Sequence, residues 1–139
     1  MILILLVILS TLGFLISSYF TALSFYWIQP ETEWIPAFCR LGQQTCSRVI
    51  FSPRARIFGI PNSLLGQFFY IAILFGTLTQ LLFVKPFILL FLSGSFLTVL
   101  LAAYLTYSLL FLTRIHCFLC FTSHGINVII FVLLLIGYR

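Results

Sequence analysis

The sequence predicts an all-α integral membrane protein, a four-transmembrane-helix bundle with a capping loop and a short interfacial helix between helices one and two. Three observations carry that expectation. Of 139 residues, 63% are hydrophobic and only 6% are charged, a balance that a soluble domain of this size cannot hide from water. Seven basic and two acidic residues divide the chain into four uncharged stretches, 1–30, 57–84, 86–113 and 115–138. Each is longer than the roughly 20 apolar residues that a helix needs to cross the hydrocarbon core. Finally, the joins are unequal: residues 28–62 form one long polar segment, whereas Val84-Lys85-Pro86 and Thr113-Arg114 leave almost no room for loops.

Taken in order, the first span covers about 3–27. It differs from a secretory signal because it has no basic n-region and its apolar run exceeds the about 7 to 15 residues of an h-region. The loop 28–62 is not a solvated linker: Phe38, Leu41, Val49, Ile50, Phe51, Ile57, Phe58 and Ile60 alternate with Arg40, Arg48, Arg54 and Arg56, which suits a cap lying on the bundle. Within it, Ser52-Pro53 reads as an N-cap with proline at the first helical position, and Gly59 with Pro61 would stop that helix within two turns. Asn62 or Ser63 then caps a second span, about 63–83, ahead of Leu64-Leu65. The third and fourth spans cover about 87–111 and 116–137, and the whole chain, 1–139, reads as a single membrane domain. There is no internal repeat, and too few intramembrane polar residues to line a channel.

Chemistry concentrates in four cysteines. Cys39 and Cys46 lie in the long loop, and Cys117-Phe118-Leu119-Cys120 opens the fourth span. Two pairs at the edge of a membrane suggest electron transfer through thiols. At about 100° per residue, Cys117, Cys120, His124 and Asn127 share one helical face. Polar side chains inside a membrane point into the bundle or a cavity, so this stripe is expected to line a site. The unsatisfied amides and partial positive charge of a helix N-terminus stabilise a thiolate there, and Arg114 and His116 precede the pair.

Other readings of the same residues stand beside this one. The four cysteines could form a zinc site, although the six residues between Cys39 and Cys46 exceed the usual spacing. Haem attachment would require histidine where Phe121 stands. Structural disulfides suit loop cysteines on a non-cytosolic face. His124 and Asn127 could serve packing through interhelical hydrogen bonds, Asn62 could be a plain cap, and the aromatic residues Phe68, Phe69, Tyr70, Tyr104 and Phe121 could line a cavity or merely fill space.

Cys39, Cys46-Ser47-Arg48-Val49, Phe58-Gly59, Asn62-Ser63, Cys117-x-x-Cys120 and Asn127, in this order along four spans, resemble the vitamin K epoxide reductase family over nearly the whole chain. The Cys46-Ser-Arg-Val run and Arg56-Ile57-Phe58-Gly59 are similar to the animal branch, and Ile60-Pro61-Asn62-Ser63 to bacterial relatives. The resemblance implies a four-helix bundle around a quinone, capped by the loop. It implies that Cys117 and Cys120 form the active-site disulfide with Cys120 facing the quinone. It also implies that Cys39 and Cys46 are a relay pair, Cys39 attacked by a reduced partner and Cys46 passing electrons to Cys117. Asn62 matches the position that hydrogen-bonds a quinone oxygen, and the substrate-binding set expected with it is Ser63, Phe58, His124 and Asn127. Animal members carry tyrosine where this chain has His124. Histidine can still donate a hydrogen bond or supply a proton to a reduced quinone.

Two function classes follow. One is a membrane thiol–quinone oxidoreductase acting on a quinone (menaquinone, ubiquinone or vitamin K) or a vitamin K epoxide. Its expected partners are a thioredoxin-like protein and membrane lipid, with no metal and no nucleic acid. The other is a non-catalytic membrane scaffold or assembly subunit braced by structural disulfides. Four spans place both termini with Lys85 and Arg139 on one side and Arg40, Arg48, Arg54, Arg56 and Arg114 with the cysteines on the other. The positive-inside rule alone would put the cysteines in the cytoplasm. Disulfide chemistry and the family resemblance favour the periplasmic or lumenal face of a bacterial inner membrane or an ER-type membrane.

Overall fold

The structure is a computed structural model that describes residues 1–27, 52–114 and 117–139. Cys39, Cys46, most of the expected cap loop and His116 lie outside the described residues. Four helices account for nearly everything else. They are α1 (Ile2–Ser24), α2 (Asn62–Leu78), α3 (Lys85–Tyr107) and α4 (Phe118–Tyr138). Three helical segments, Ile2–Ser24, Lys85–Thr113 and Phe118–Tyr138, are long and apolar enough to cross a membrane, which makes this a multi-pass membrane protein; α2 is also apolar but has only 17 residues.

Each boundary has a local cause. The second span was expected to run to residue 83, but α2 stops at Leu78. Gln80 takes a left-handed conformation (φ 57°), and the Thr79 and Gln80 amides cap the carbonyls of Phe75 and Thr77. The 3-10 turn Leu81–Phe83 then sinks Leu82 fully into the core. Pro86 sits in the first turn of α3, where proline is tolerated, so that helix starts two residues before the expected position 87. Past Tyr107 the α-helix widens into a π-helix, Ser108–Thr113, closed by Arg114 with φ 52°.

The segment ahead of α2 departs from expectation. The short helix starts as expected, with Ser52 as N-cap and Pro53 at the first position, but it is only a 3-10 turn, Pro53–Ala55, followed by an antiparallel hairpin of β1 (Arg56–Ile57) and β2 (Ile60–Pro61) with Arg56 opposite Pro61 and Ile57 opposite Ile60. The two linking residues, Phe58 (φ 52°) and Gly59 (φ 81°), both have positive φ, the signature of a type I′ hairpin turn. Gly59 therefore reverses a hairpin rather than ending a helix. Neither Asn62 nor Ser63 is the cap of α2: Pro61 holds that position, with Asn62 and Ser63 in the first turn.

The bundle is built on α1. It packs along α2 and α4, and α3 packs along α4. Its small polar stripe, Ser10, Gly13, Ser17, Thr21 and Ser24, is buried and lets backbones approach closely, as membrane helices favour. A Cβ on Gly13 would overlap the Tyr70 ring, and one on Gly66 would lie 2.9 Å from the Ser17 hydroxyl. Gln67 donates to Ser18 (2.8 Å) and Thr21 to Ser63 (3.1 Å), so polar pairs pin α2 to α1. Leu6, Tyr70, Ile73, Leu82, Ile126, Ile130 and Leu134 form the main core. A second cluster, Phe20, Leu23 and Leu109, packs around the cysteines at the head of α4.

Candidate active site

Cys117 and Cys120 form a disulfide with Cα atoms 5.2 Å apart. Cys117 is the N-cap of α4. Its sulfur accepts a hydrogen bond from the Cys120 amide at 3.3 Å, so one of the orphan donors of the helix terminus points at sulfur. The two sulfurs are not equivalent. Cys117 is 0% exposed within the Phe20, Leu23 and Leu109 cluster, whereas Cys120, at 8%, opens on a cavity inside the bundle.

That cavity is walled by all four helices. Phe69 of α2 and Leu101, Ala102 and Leu105 of α3 make its apolar side. Asn62 and Ser63 from the first turn of α2 face it near the hairpin, and α4 contributes Cys120, Ser123, His124 and Asn127. Ser52, Arg54, Ala55 and Pro61 line it on the hairpin side. Arg54 donates through Nη1 to the Ser108 hydroxyl at 3.2 Å, tying that segment to the end of α3. Ser108, Leu109 and Thr113 reach the cavity because the π-helix turns the end of α3 by one extra residue. The Thr113 hydroxyl donates to the carbonyls of Ser108 (3.2 Å) and Leu109 (3.3 Å), supporting the widened turn.

Deeper in, Tyr70 donates to the Asn127 side-chain oxygen at 2.7 Å and lies 3.3 Å from the Ser123 hydroxyl. The cavity surface is mostly apolar, with polar side chains contributed from every wall and a disulfide sulfur exposed to it.

The structure brings Cys120, Asn62, Ser63, His124 and Asn127 to one cavity, with Cys117 directly behind. It does not bring Phe58 there: that residue sits at the hairpin tip, 98% exposed, because the left-handed turn points it away. Of the aromatic candidates, Phe69 and Tyr70 line the cavity, Phe68 and Tyr104 are exposed on the outside of the bundle, and Phe121 packs against the cysteine cluster. Arg54, Ser108 and Ser123 were not singled out from the sequence. Ser123, three residues after Cys120, belongs to the same helical stripe and was legible there; Ser108 reaches the cavity only through the π-helix, which leaves no mark on the apolar pattern.

None of the curated proteins compared with the chain matches it. A family profile does, from residue 4 to residue 135. That match spans both the cavity and the cysteine pair at the head of α4, and by it the chain belongs to the vitamin K epoxide reductase family.

Proposed function

We propose that this chain is a thiol–quinone oxidoreductase that passes two electrons from a thiol partner through Cys39 and Cys46 to the Cys117–Cys120 disulfide and on to a quinone. Membership of the vitamin K epoxide reductase family makes it a membrane oxidoreductase with a disulfide-forming cysteine pair. The observation that carries the finer reading is the asymmetry of that pair: Cys120 opens on an apolar cavity that also holds Asn62 and His124, and Cys117 lies behind it.

The chemistry balances as follows. A reduced, thioredoxin-like dithiol attacks a Cys39–Cys46 disulfide at Cys39 and leaves both loop cysteines as thiols. The Cys46 thiolate attacks Cys117 and expels Cys120 as thiolate, and Cys39 resolves the mixed disulfide. Hydrogen bonding from the Cys120 amide at the head of α4 favours negative charge on Cys117. Cys120 then adds to a ring carbon of the quinone, and Cys117 attacks the Cys120 sulfur, which re-forms the disulfide and leaves both electrons on the ring. Two protons complete a hydroquinone, so that dithiol and quinone give disulfide and hydroquinone. With an epoxide, the same pair gives quinone and water. Asn62 and His124 are the donors for the quinone oxygens, and the quinone is a menaquinone, a ubiquinone or vitamin K.

In this reading α2 is the fourth span. Its 17 residues are about 26 Å long, and the Leu81–Phe83 turn extends it. The cysteines face the periplasm or ER-type lumen, where disulfides persist. The test is reduction of a menaquinone or vitamin K analogue, and separately of its epoxide, by purified protein with dithiothreitol, comparing wild type with Cys120→Ala. Cys120-dependent turnover of the quinone supports the reading, and turnover of the epoxide extends it to vitamin K recycling. Absence of turnover with these compounds and with a ubiquinone analogue as well returns the cysteines to a structural role.

A further inference from the structure

The thiol–quinone step leaves one part of the cavity unused. Tyr70 is 1% exposed and bedded on Gly13, where no Cβ intervenes, so its phenol has little freedom. Its proton goes to the Asn127 side-chain oxygen at 2.7 Å, which makes Ser123 the donor in the 3.3 Å contact with the Tyr70 hydroxyl. The Asn127 amide thus turns its oxygen to Tyr70. Its oxygen is taken, and its two N–H donors have no protein partner among the described residues, while the side chain lines the cavity. These donors face the cavity from a half-buried side chain, where a ligand oxygen would pair with them.

The depth of that donor restricts the ligand. Seven residues of α4 separate Cys120 from Asn127, an axial offset of about 10 Å. Because helical side chains lean the same way, that offset carries over to the sulfur and the amide. A six-membered ring touching the sulfur, an oxygen substituent on its far edge and one hydrogen bond together span that distance. A fused benzo ring would place C–H groups against the amide and leave its donors unpaired.

We propose that Tyr70 is a positioning residue that presents the Asn127 amide to an oxygen substituent on the far edge of the quinone ring, so that the site selects alkoxy-substituted benzoquinones over naphthoquinones. The inference rests on the thiol–quinone reading and adds the substrate class to it. A site built to hydrogen-bond a substituent discriminates against an analogue that lacks it.

The test measures dithiothreitol-driven reduction of 2,3-dimethoxy-5-methyl-1,4-benzoquinone and of 2-methyl-1,4-naphthoquinone by the purified full chain, corrected for the uncatalysed rate, in wild type, Tyr70→Phe and Asn127→Leu. Tyr70→Phe keeps the ring on Gly13 and removes only the hydroxyl. The ratio of kcat/KM for the dimethoxy compound to that for the naphthoquinone is expected to fall about fivefold to tenfold in both variants, chiefly through KM of the dimethoxy compound. A proportional loss with both quinones, or an unchanged ratio, overturns the inference and leaves the Tyr70 bond a packing contact. Wild type that reduces neither quinone overturns the thiol–quinone reading itself, and the inference with it.

Discussion

The ring of Tyr70 lies directly on Gly13, so close that a Cβ at residue 13 would overlap its Cε1 and Cζ atoms. The contact sets the spacing of α1 and α2, because Tyr70 is also held from the other side by its hydrogen bond to Asn127 of α4. The phenol therefore bridges three helices. Gly13→Ala leaves two ways out: α1 moves off, or Tyr70 lets go of Asn127. Overpacking of this kind costs about 1–3 kcal/mol. The expected outcome is a lower Tm of the detergent-solubilised protein, followed by fluorescence-detected gel filtration after heating. Combining Gly13→Ala with Tyr70→Leu, which vacates the space, should destabilise by less than the two single changes added together; full additivity would mean that the contact is not what sets the spacing.

The link from Arg54 to Ser108 joins the hairpin segment to the π-helix at the end of α3, and both residues line the cavity. Arg54 is exposed, so the bond adds little to global stability, but it sits where the cavity meets the hairpin. Arg54→Gln and Ser108→Ala are each expected to raise the quinone KM roughly twofold to fivefold, the scale of one modest hydrogen bond, with Tm nearly unchanged. If the residues act through each other, the double variant is no worse than either single one. Additive effects would assign them separate roles.

Much of the bundle was legible because a bilayer leaves few choices: uncharged stretches of sufficient length must be helical. What was hidden turned on single residues. Gly59 announces a positive φ in the sequence, yet a helix stop and a type I′ hairpin require the same sign, and only the pairing of Arg56 with Pro61 separates them. The early end of α2 comes from Gln80 in a left-handed turn and from burial of Leu82, a tertiary demand in a run of uniformly apolar residues. At the site, helical periodicity put Cys120, His124 and Asn127 on one face, and they do line one cavity. The same periodicity put Cys117 with them, but an N-cap lies outside the helix and turns its side chain back onto the amides, which buries that sulfur. The Tyr70 bond had no signal, since nothing in the spacing of α2 says which partner on α4 a tyrosine will meet.

His124 lines the cavity one turn beyond Cys120, within reach of a quinone whose ring touches the sulfur. His124→Phe removes a hydrogen-bond donor while keeping an aromatic ring. The expected outcome is a fall of about tenfold or more in quinone turnover, the loss of a positioned donor or proton source, with exchange between the Cys117–Cys120 disulfide and dithiothreitol unchanged. Thiol release is followed by alkylation and mass shift, and turnover by quinone absorbance. Unchanged turnover would remove His124 from the chemistry.

The unequal burial of the two sulfurs makes a prediction that needs no quinone at all. With Cys39 and Cys46 both changed to Ser, the thiol left in Cys117→Ser is Cys120, which opens on the cavity, and a small apolar maleimide that partitions into the membrane should label it readily. In Cys120→Ser on the same background the thiol left is Cys117, enclosed by Phe20, Leu23 and Leu109, and labelling should be slower by an order of magnitude or more, because the group must first be uncovered by local opening. Mass spectrometry on the intact variants over a time course reads both rates. A saturating quinone should protect Cys120 in the first variant and leave the second unaffected, since of these two cysteines it is Cys120 that lines the cavity. Equal rates would mean that the enclosure of Cys117 opens as readily as the cavity itself, and the assignment of Cys120 as the sulfur that meets the quinone would lose its structural basis.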